Sequence, residues 1–266
     1  MTFFLTILLV FGSFLHFKKP KHNKNWSLEQ SRLPSVKFSE DKILIENIRN
    51  CVYRSEVDFD LYYYNESYDV RTIKSVDLVL QPFKKLPLMA HLFLSFGFED
   101  GRYLSVSVEA RRQKKDKFSP FKALFKNFEL IYVIADEKDI MKFKPLYRNE
   151  RSYVYPLKIS DDKIKNIFLD ILERVNKTKE NPEFYNTLTN SCVTNIFKHM
   201  KNAGEIKVPR SWKFLFPSTL DRLLYDIDLI KTNLSFDKLR ENNLINKKAD
   251  KYKEAEDYSQ KIRENI

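Results

Sequence analysis

Apolar and polar residues alternate along the middle of the chain, and the clearest alternation predicts a hairpin. Residues 91–98 read HLFLSFGF, residues 102–109 read RYLSVSVE, and Glu99-Asp100-Gly101 joins the two runs. Alternation with a period of two is typical of strands that bury one face. A three-residue loop that ends in glycine is a common hairpin connection. We therefore expect two antiparallel strands here.

The length of the loop determines which residues of the hairpin lie opposite each other. With Phe98 facing Arg102, one face of the pair is wholly apolar. The other face carries three pairs: His91 opposite Glu109, Phe93 opposite Ser107, and Ser95 opposite Ser105. A histidine and a carboxylate are thus expected side by side at the open end of the hairpin.

Other segments have the spacing of strands or helices, and the strands come first. Further strands are expected at 43–53, 70–80, 129–135 and 153–157. Helices are expected over 161–175, 190–204 and 219–228, before a charged, helix-prone tail over 237–266. This order indicates the α+β class, with an antiparallel sheet and packed helices.

The N-terminus has the character of a membrane or export segment. Residues 3–17 (FFLTILLVFGSFLHF) contain no Lys, Arg, Asp or Glu. As a helix they would reach about 22 Å against a hydrocarbon core of about 30 Å. No A-x-A-like cleavage site follows, which favours an uncleaved anchor. We expect a signal anchor or transmembrane segment at 1–17, a polar linker at 18–34, and one domain with a helical C-terminal tail at 35–266.

Charge narrows the class of partner without choosing one. The net charge is +11, from 47 Lys and Arg against 36 Asp and Glu. Such an excess favours anionic partners such as membrane phosphates or nucleic acid. Lysines also follow the apolar segment directly, and the positive-inside rule taken alone would leave the domain in the cytoplasm. Charge therefore fixes neither the partner nor the side of the membrane.

The residue counts argue against several kinds of cofactor site. Only four glycines occur, and no Gly-rich phosphate loop or G-x-S-x-G motif can be formed from them. Two cysteines and four histidines show no metal-ligand spacing. We expect neither a nucleotide nor a metal cofactor.

The stretch TNSCVTNIF places Cys192 in the first turn of a predicted helix. Unpaired N–H groups and the helix dipole stabilise a thiolate there. A base is then needed, and His199 lies about 10.5 Å farther along the same helix, too far to touch the sulfur. His91 remains, with Glu109 placed to orient it, which is the arrangement of a catalytic triad.

Two alternatives compete with this interpretation. A free cysteine at a helix start is often a small buried apolar residue. A disulfide between Cys51 and Cys192 in an oxidising compartment would remove the nucleophile.

A stripe of phenylalanines predicts either membrane contact or core packing. Phe118, Phe121, Phe125 and Phe128 recur at helical spacings between lysines. An interfacial helix has this composition, and so does a helix that packs its aromatic face on a core.

Five motifs in order resemble a known family over roughly residues 26–262. They are His91-Leu-Phe-Leu-Ser-Phe-Gly-Phe98, Ser105-Val-Ser-Val-Glu109-Ala-Arg111, Glu129-Leu-Ile-Tyr132, Phe184-Tyr-Asn-Thr-Leu-Thr-Asn190 with Cys192, and Asp221-Arg-Leu-Leu-Tyr225. Together they resemble the periplasmic domain of the Lnb-type bacterial lipoprotein N-acyltransferases, the DUF4105 family. The resemblance implies a papain-like fold in permuted order, as in NlpC/P60 relatives, with a catalytic Cys192 and His91. Within these motifs the candidate substrate-binding residues are Ser105, Ser107, Arg111, Tyr132 and Asn190.

The resemblance also implies a reaction and a location. An acyl chain would pass from a phospholipid through a Cys192 thioester to the N-terminal amine of a diacylated lipoprotein. The partners would be these two lipids and the membrane, without nucleic acid, and the domain would face the periplasm from the bacterial inner membrane. Two other classes stay open: a papain-like peptidase or amidase that uses the same dyad, and a non-enzymatic, membrane-anchored binding module.

Overall fold

The computed structural model describes residues 17–204 and 212–266. The predicted membrane segment, apart from Phe17, lies outside the described residues. Among the helices of the described part, none is both long and apolar enough to cross a membrane.

The described residues form an eight-stranded, mostly antiparallel sheet. Its strands are β1 (Ser35–Ser39), β2 (Lys42–Tyr53), β3 (Phe59–Asp69), β4 (Ile73–Phe83), β5 (Leu86–Phe98), β6 (Tyr103–Arg111), β7 (Glu129–Asp136) and β8 (Tyr153–Pro156). Their order is β1-β2-β7-β6-β5-β4-β8, and β3 pairs with β2. Only β2 and β7 run parallel to each other. The strands predicted from alternation are confirmed, and the hairpin of β5 and β6 lies near the centre of the sheet.

The predicted hairpin register is confirmed along most of its length. Phe96 pairs with Leu104 and Phe93 with Ser107, and the Phe98 amide donates to the Arg102 carbonyl at 3.0 Å. Gly101 supplies the positive φ of 83° that the turn requires. The ladder between the strands ends at Phe93 and Ser107, so the predicted pairing of His91 with Glu109 is not formed by the backbone.

Helices cover both faces of the sheet. They are α1 (Pro120–Ala123), α2 (Glu137–Lys142), α3 (Asp161–Glu180), α4 (Cys192–Asn202), α5 (Leu220–Asp226), α6 (Phe236–Asn242), α7 (Asn246–Lys251) and α8 (Tyr258–Lys261). The larger core joins α3 and α4 to the Leu92, Leu94 and Phe96 side of the hairpin. A smaller core joins α2, α7 and α8 to the Phe93 side. The mixed class predicted from the order of the elements is thus confirmed as an open sheet with helices.

The segment 18–34, predicted as a polar linker, lies against the end of the sheet. The Lys24 ammonium is 2.5 Å from the Glu129 carboxylate, and Trp26 is buried and bridges to Gln113. Gln30 is 1% exposed. This segment therefore packs beside the residues that form the candidate site.

Candidate active site

Cys192 is the first residue of α4, as its sequence context predicts. A capping box precedes it: the Ser191 hydroxyl accepts from the Thr194 amide, and the Thr194 hydroxyl accepts from the Ser191 amide at 2.7 Å. Such a box satisfies N–H groups that a helix start leaves without partners. The turn that carries the thiol is consequently well fixed.

The Cys192 thiol lies against the backbone of β5. In an antiparallel ladder the N–H groups alternate in direction, and the Leu92 N–H points toward β6. Leu92 lies beyond the last residues that pair with β6, so its N–H donates to the Cys192 thiol instead. The Tyr185 hydroxyl also donates to the thiol. Burial raises the pKa of Cys192, and the Leu92 amide, the Tyr185 hydroxyl and the Val193 amide act against burial. The resting group is therefore a thiol held among donors that would stabilise its anion.

His91, the residue before Leu92, is oriented through a serine. Its Nε2 lies 2.8 Å from the Ser107 hydroxyl, and that hydroxyl donates to Oε1 of Glu109 at 3.0 Å. The direct distance from Nε2 to Glu109 is 3.9 Å. Glu109 therefore contacts the imidazole through the Ser107 hydroxyl. The predicted register places Glu109 directly opposite His91.

The direction of these bonds sets the tautomer of His91. Because the Ser107 hydroxyl donates to a carboxylate, its oxygen accepts, and Nε2 must carry the hydrogen. Nδ1 then holds the lone pair, and among the described residues no hydrogen bond engages it. Burial lowers the pKa of His91 to about 4, although Glu109 acts in the opposite sense. The ring is accordingly neutral near pH 7, and Nδ1 is the nitrogen that can accept a proton.

Glu109 is kept ionised by its neighbours. Burial alone would raise its pKa, but the charge of Arg49 and a hydrogen bond from Gln30 act against burial, and the pKa is lowered. The Gln30 amide donates to Oε2 at 2.7 Å. Sequence reasoning missed Gln30 and Arg49, because one lies in the supposed linker and the other on a strand far along the chain.

A buried lysine adds positive charge beside this group. Lys144 lies in a π-helical turn, Phe143–Tyr147, with its ammonium 3.3 Å from the Glu150 carboxylate. Burial lowers its pKa to about 8. Its charge acts on both His91 and Cys192. A lone lysine in an irregular turn gives no sequence signal for this role.

Tyr132 and Asn190 lie in a separate polar network. The Tyr132 hydroxyl is 2.8 Å from Nε2 of His199, and Oδ1 of Asn190 accepts from Asn195 at 2.9 Å. His199 itself is bound to Asp170, in agreement with its predicted separation from the thiol. This network joins Tyr132 of β7 to the first turns of α4 through Asn195 and His199.

Ser105 and Arg111 lie away from the His91 group. Ser105 is buried farther along the hairpin, opposite Ser95. Arg111 donates to the carbonyls of Gln30 and Ser31, both at 2.9 Å, and stacks on Trp26. In the described structure Arg111 holds the N-terminal segment in place and is 2% exposed.

The phenylalanine stripe divides between core and surface, because α1 is a single turn. Phe128 is 2% exposed and packs in the core with the half-buried Phe118, whereas Phe121 is 70% exposed. The loop 186–190 touches this turn, with the Thr187 hydroxyl donating to the Pro120 carbonyl. The exposed end therefore borders the loop that leads to Cys192.

Both cysteines are free thiols, so the competing Cys51–Cys192 disulfide is not formed. In the described ranges, no group of three or more His, Cys, Asp and Glu side chains is arranged to hold a metal ion.

Comparison with known proteins places the chain in one family. No curated protein and no solved structure matches it. The model of the family described as the Lnb N-terminal periplasmic domain matches residues 60–224, more than half of the chain, and this range contains Cys192, His91, Ser107 and Glu109. A periplasm-facing domain is thereby indicated. The chain belongs to the family of Lnb N-terminal periplasmic domains.

Proposed function

We propose that this protein is a membrane-anchored thiol acyltransferase with a permuted papain-like catalytic domain. It would move a fatty acyl chain from a phospholipid to the N-terminal amine of a diacylglyceryl-cysteine lipoprotein. The observation that carries the proposal is that the Cys192 thiol lies against the amide of Leu92, the residue that follows His91 in β5, while Nδ1 of His91 is left to accept a proton. Family membership supports the choice of acyl transfer among reactions that use this pair.

In the first half-reaction, Nδ1 of His91 takes the proton of the Cys192 thiol. The sulfur attacks the acyl carbonyl of the phospholipid, and the amides at the start of α4 stabilise the oxyanion. The ester C–O bond breaks, His91 returns its proton to the leaving oxygen, and a lysophospholipid departs. The products are a Cys192 thioester and a neutral His91.

In the second half-reaction, the lipoprotein amine attacks the thioester. His91 takes a proton from the nitrogen as the C–N bond forms, the C–S bond breaks, and the thiolate recovers that proton. Ser107 and Glu109 stabilise the imidazolium that exists between these proton transfers, since the partly buried Glu109 stays ionised.

The proposal predicts an acyl adduct on Cys192. The full chain, incubated with phospholipid vesicles, is expected to gain the mass of one acyl chain on the Cys192 peptide, and hydroxylamine should remove it. Cys51→Ala is the matched control, because Cys51 is the other buried free thiol; it should keep the adduct, and Cys192→Ala should lose it.

Adding a diacylated lipopeptide tests the acceptor. We expect an N-acylated lipopeptide, whereas release of free fatty acid alone would indicate a hydrolase. A wild-type protein without any adduct, or a Cys192→Ala protein that still acylates the lipopeptide, would refute the mechanism.

A further inference from the structure

A second buried polar chain runs from α3 to the start of α4, and no step of the proposed reaction uses it. Oδ2 of Asp170 lies 2.5 Å from Nδ1 of His199. Nε2 of His199 lies 2.8 Å from the Tyr132 hydroxyl, which lies 3.2 Å from Oδ1 of Asn195. His199, Tyr132 and Asn195 are buried. A continuous buried network of this kind specifies one arrangement of its parts.

The chain ends on the peptide group that joins Ser191 to Cys192. Nδ2 of Asn195 donates to the Ser191 carbonyl at 2.9 Å, in addition to the helical bond from the Asn195 amide to the same oxygen. A peptide group is planar, so a fixed Ser191 carbonyl also fixes the direction of the Cys192 N–H. That N–H lies at the helix start that the proposed mechanism uses for the oxyanion.

The groups that accept hydrogen bonds from Asn190 determine how its side-chain amide is oriented. Nδ2 of Asn190 donates to the Glu183 carboxylate at 3.1 Å and to the Phe184 carbonyl at 3.0 Å. Both partners only accept, so Oδ1 of Asn190 faces Asn195. Asn195 therefore presents Nδ2 to Asn190 and its oxygen to Tyr132.

The same reasoning reaches the histidine. In the protonated ring of His199, Nδ1 donates to the Asp170 carboxylate and Nε2 donates to the oxygen of the Tyr132 hydroxyl, which in turn donates to Asn195. Burial lowers the pKa of His199, and the charges of Arg174 and Lys198 act with burial, whereas Asp170 raises it. Loss of the Nε2 proton would leave the Asn195 oxygen without its donor.

We propose that Asp170, His199, Tyr132 and Asn195 form a positioning chain that sets the orientation of the Cys192 amide and thereby the reactivity of the thiol. The inference rests on the proposed role of Cys192 as the nucleophile. None of the four residues acts on the substrate; they act through the Ser191–Cys192 peptide group.

Tyr132→Phe tests the chain by removing one hydroxyl. Iodoacetamide labelling of the Cys192 peptide in the full-length protein is followed against pH by mass spectrometry. The midpoint should rise by about half a pH unit or more, because the Cys192 and Val193 amides lower the pKa of the thiol. The kcat of acyl transfer should fall about tenfold while KM stays within about twofold.

Tyr155→Phe is the matched control. Tyr155 is also fully buried, and its hydroxyl donates to the buried Asp221 carboxylate at 2.9 Å in another part of the core. It should leave the labelling midpoint unchanged. His199→Gln should reproduce Tyr132→Phe, and the double variant should be no slower than either single variant, since all three interrupt one chain.

Labelling needs no lipid, so the two proposals can fail separately. A shifted midpoint in a protein that never transfers an acyl group would support the positioning chain and refute the acyl-transfer function. A Tyr132→Phe protein that matches Tyr155→Phe in midpoint and kcat would refute the chain. If Tyr132→Phe does not fold, the result for His199→Gln decides.

Discussion

At the scale of single residues, the candidate site depends on where one strand pair stops. Beyond Phe93 and Ser107, β5 and β6 no longer pair. This frees the Leu92 amide for the Cys192 thiol and lets the Ser107 hydroxyl lie between His91 and Glu109. The alternation of the hairpin predicts the two members of the acid–base pair, but not the serine between them. The register predicts only which residues lie opposite each other. The hydrogen bonds through Ser107 depend on the distance between the two strands, which the register does not give.

His91 should make stability depend on pH in a defined direction. Its folded pKa, about 4, lies below the unfolded value near 6.5, so the unfolded chain binds the proton more readily. As the pH falls from about 6.5 to about 4, the wild type should lose stability relative to His91→Asn, with a slope of up to about 1.4 kcal/mol per pH unit.

Urea unfolding of the two proteins at pH 7, 6, 5 and 4 measures this difference. Titration of the groups that do not interact with His91 is common to both proteins and cancels in the difference. A constant difference in unfolding free energy across the range would show that the pKa of His91 is not lowered in the folded protein.

At the scale of elements, Arg263 adds an ionic contact to the apolar packing that joins the tail to the fold. Arg263, just after α8, contacts Asp77 on β4 and Glu137 at the start of α2. Both carboxylates are at most 2% exposed. The weak apolar stripe of the tail predicts helices but not this ionic contact, because nothing in the local sequence connects residue 263 to a strand so far back in the chain.

Replacing Arg263 should destabilise the protein strongly. Arg263→Met leaves two buried carboxylates without their cation, and breaking a buried pair in this way costs about 3–5 kcal/mol. Chemical denaturation measures the loss. Arg71→Met is the control, because Arg71 pairs with Asp69 while 64% exposed, and the loss of such an exposed pair should hardly change stability. Equal effects of the two substitutions would contradict a structural role for the buried cluster.

How far sequence predicts an element depends on whether one of its faces is clearly buried. The hairpin alternates cleanly, and both of its strands were predicted. β3 is rich in tyrosine and acidic residues and is mostly half-buried or exposed, so its sequence does not reveal a strand. The residues 18–34 are polar, yet Gln30 and Trp26 are buried, because their partners come from β6 and the residues just after it.

At the scale of the whole molecule, several apolar side chains are exposed around one end of the sheet. Phe121 of α1 is 70% exposed, and Leu188 of the loop 186–190 before α4 is 53% exposed. The hairpin formed by β4 and β5 carries the exposed Leu86 and Leu88. The rings of Phe83 and Phe118 lie 6.3 Å apart and connect that hairpin to the approach to α1. Exposed lysines flank these residues: Lys84, Lys85, Lys114, Lys117 and Lys122. Apolar side chains among cations suit the interface of an anionic bilayer.

Phe121→Ser should therefore weaken membrane binding. Residues 18–266 are used, so that the N-terminal segment does not dominate, and binding to phosphatidylglycerol vesicles is measured by co-sedimentation. Losing one exposed aromatic side chain should lower the partition coefficient about fivefold or more. Val57→Ser, at a residue that is 87% exposed on a different loop, should change binding less than twofold. Equal binding by both variants would exclude this end of the sheet as the membrane-facing surface.

With the proposed membrane anchor, the packing of the N-terminal segment would also limit the height of the candidate site above the bilayer. The Lys21 amide donates to Glu129 and His22 lies on the Thr178 carbonyl, so an anchor ending at Phe17 would leave only three residues of slack, about 10 Å at full extension. Such a tether would act as a fixed-length spacer. A protein with the proposed activity could then serve only amines that lie close to the lipid headgroups, and it would exclude molecules of the same chemistry that stand farther from the bilayer.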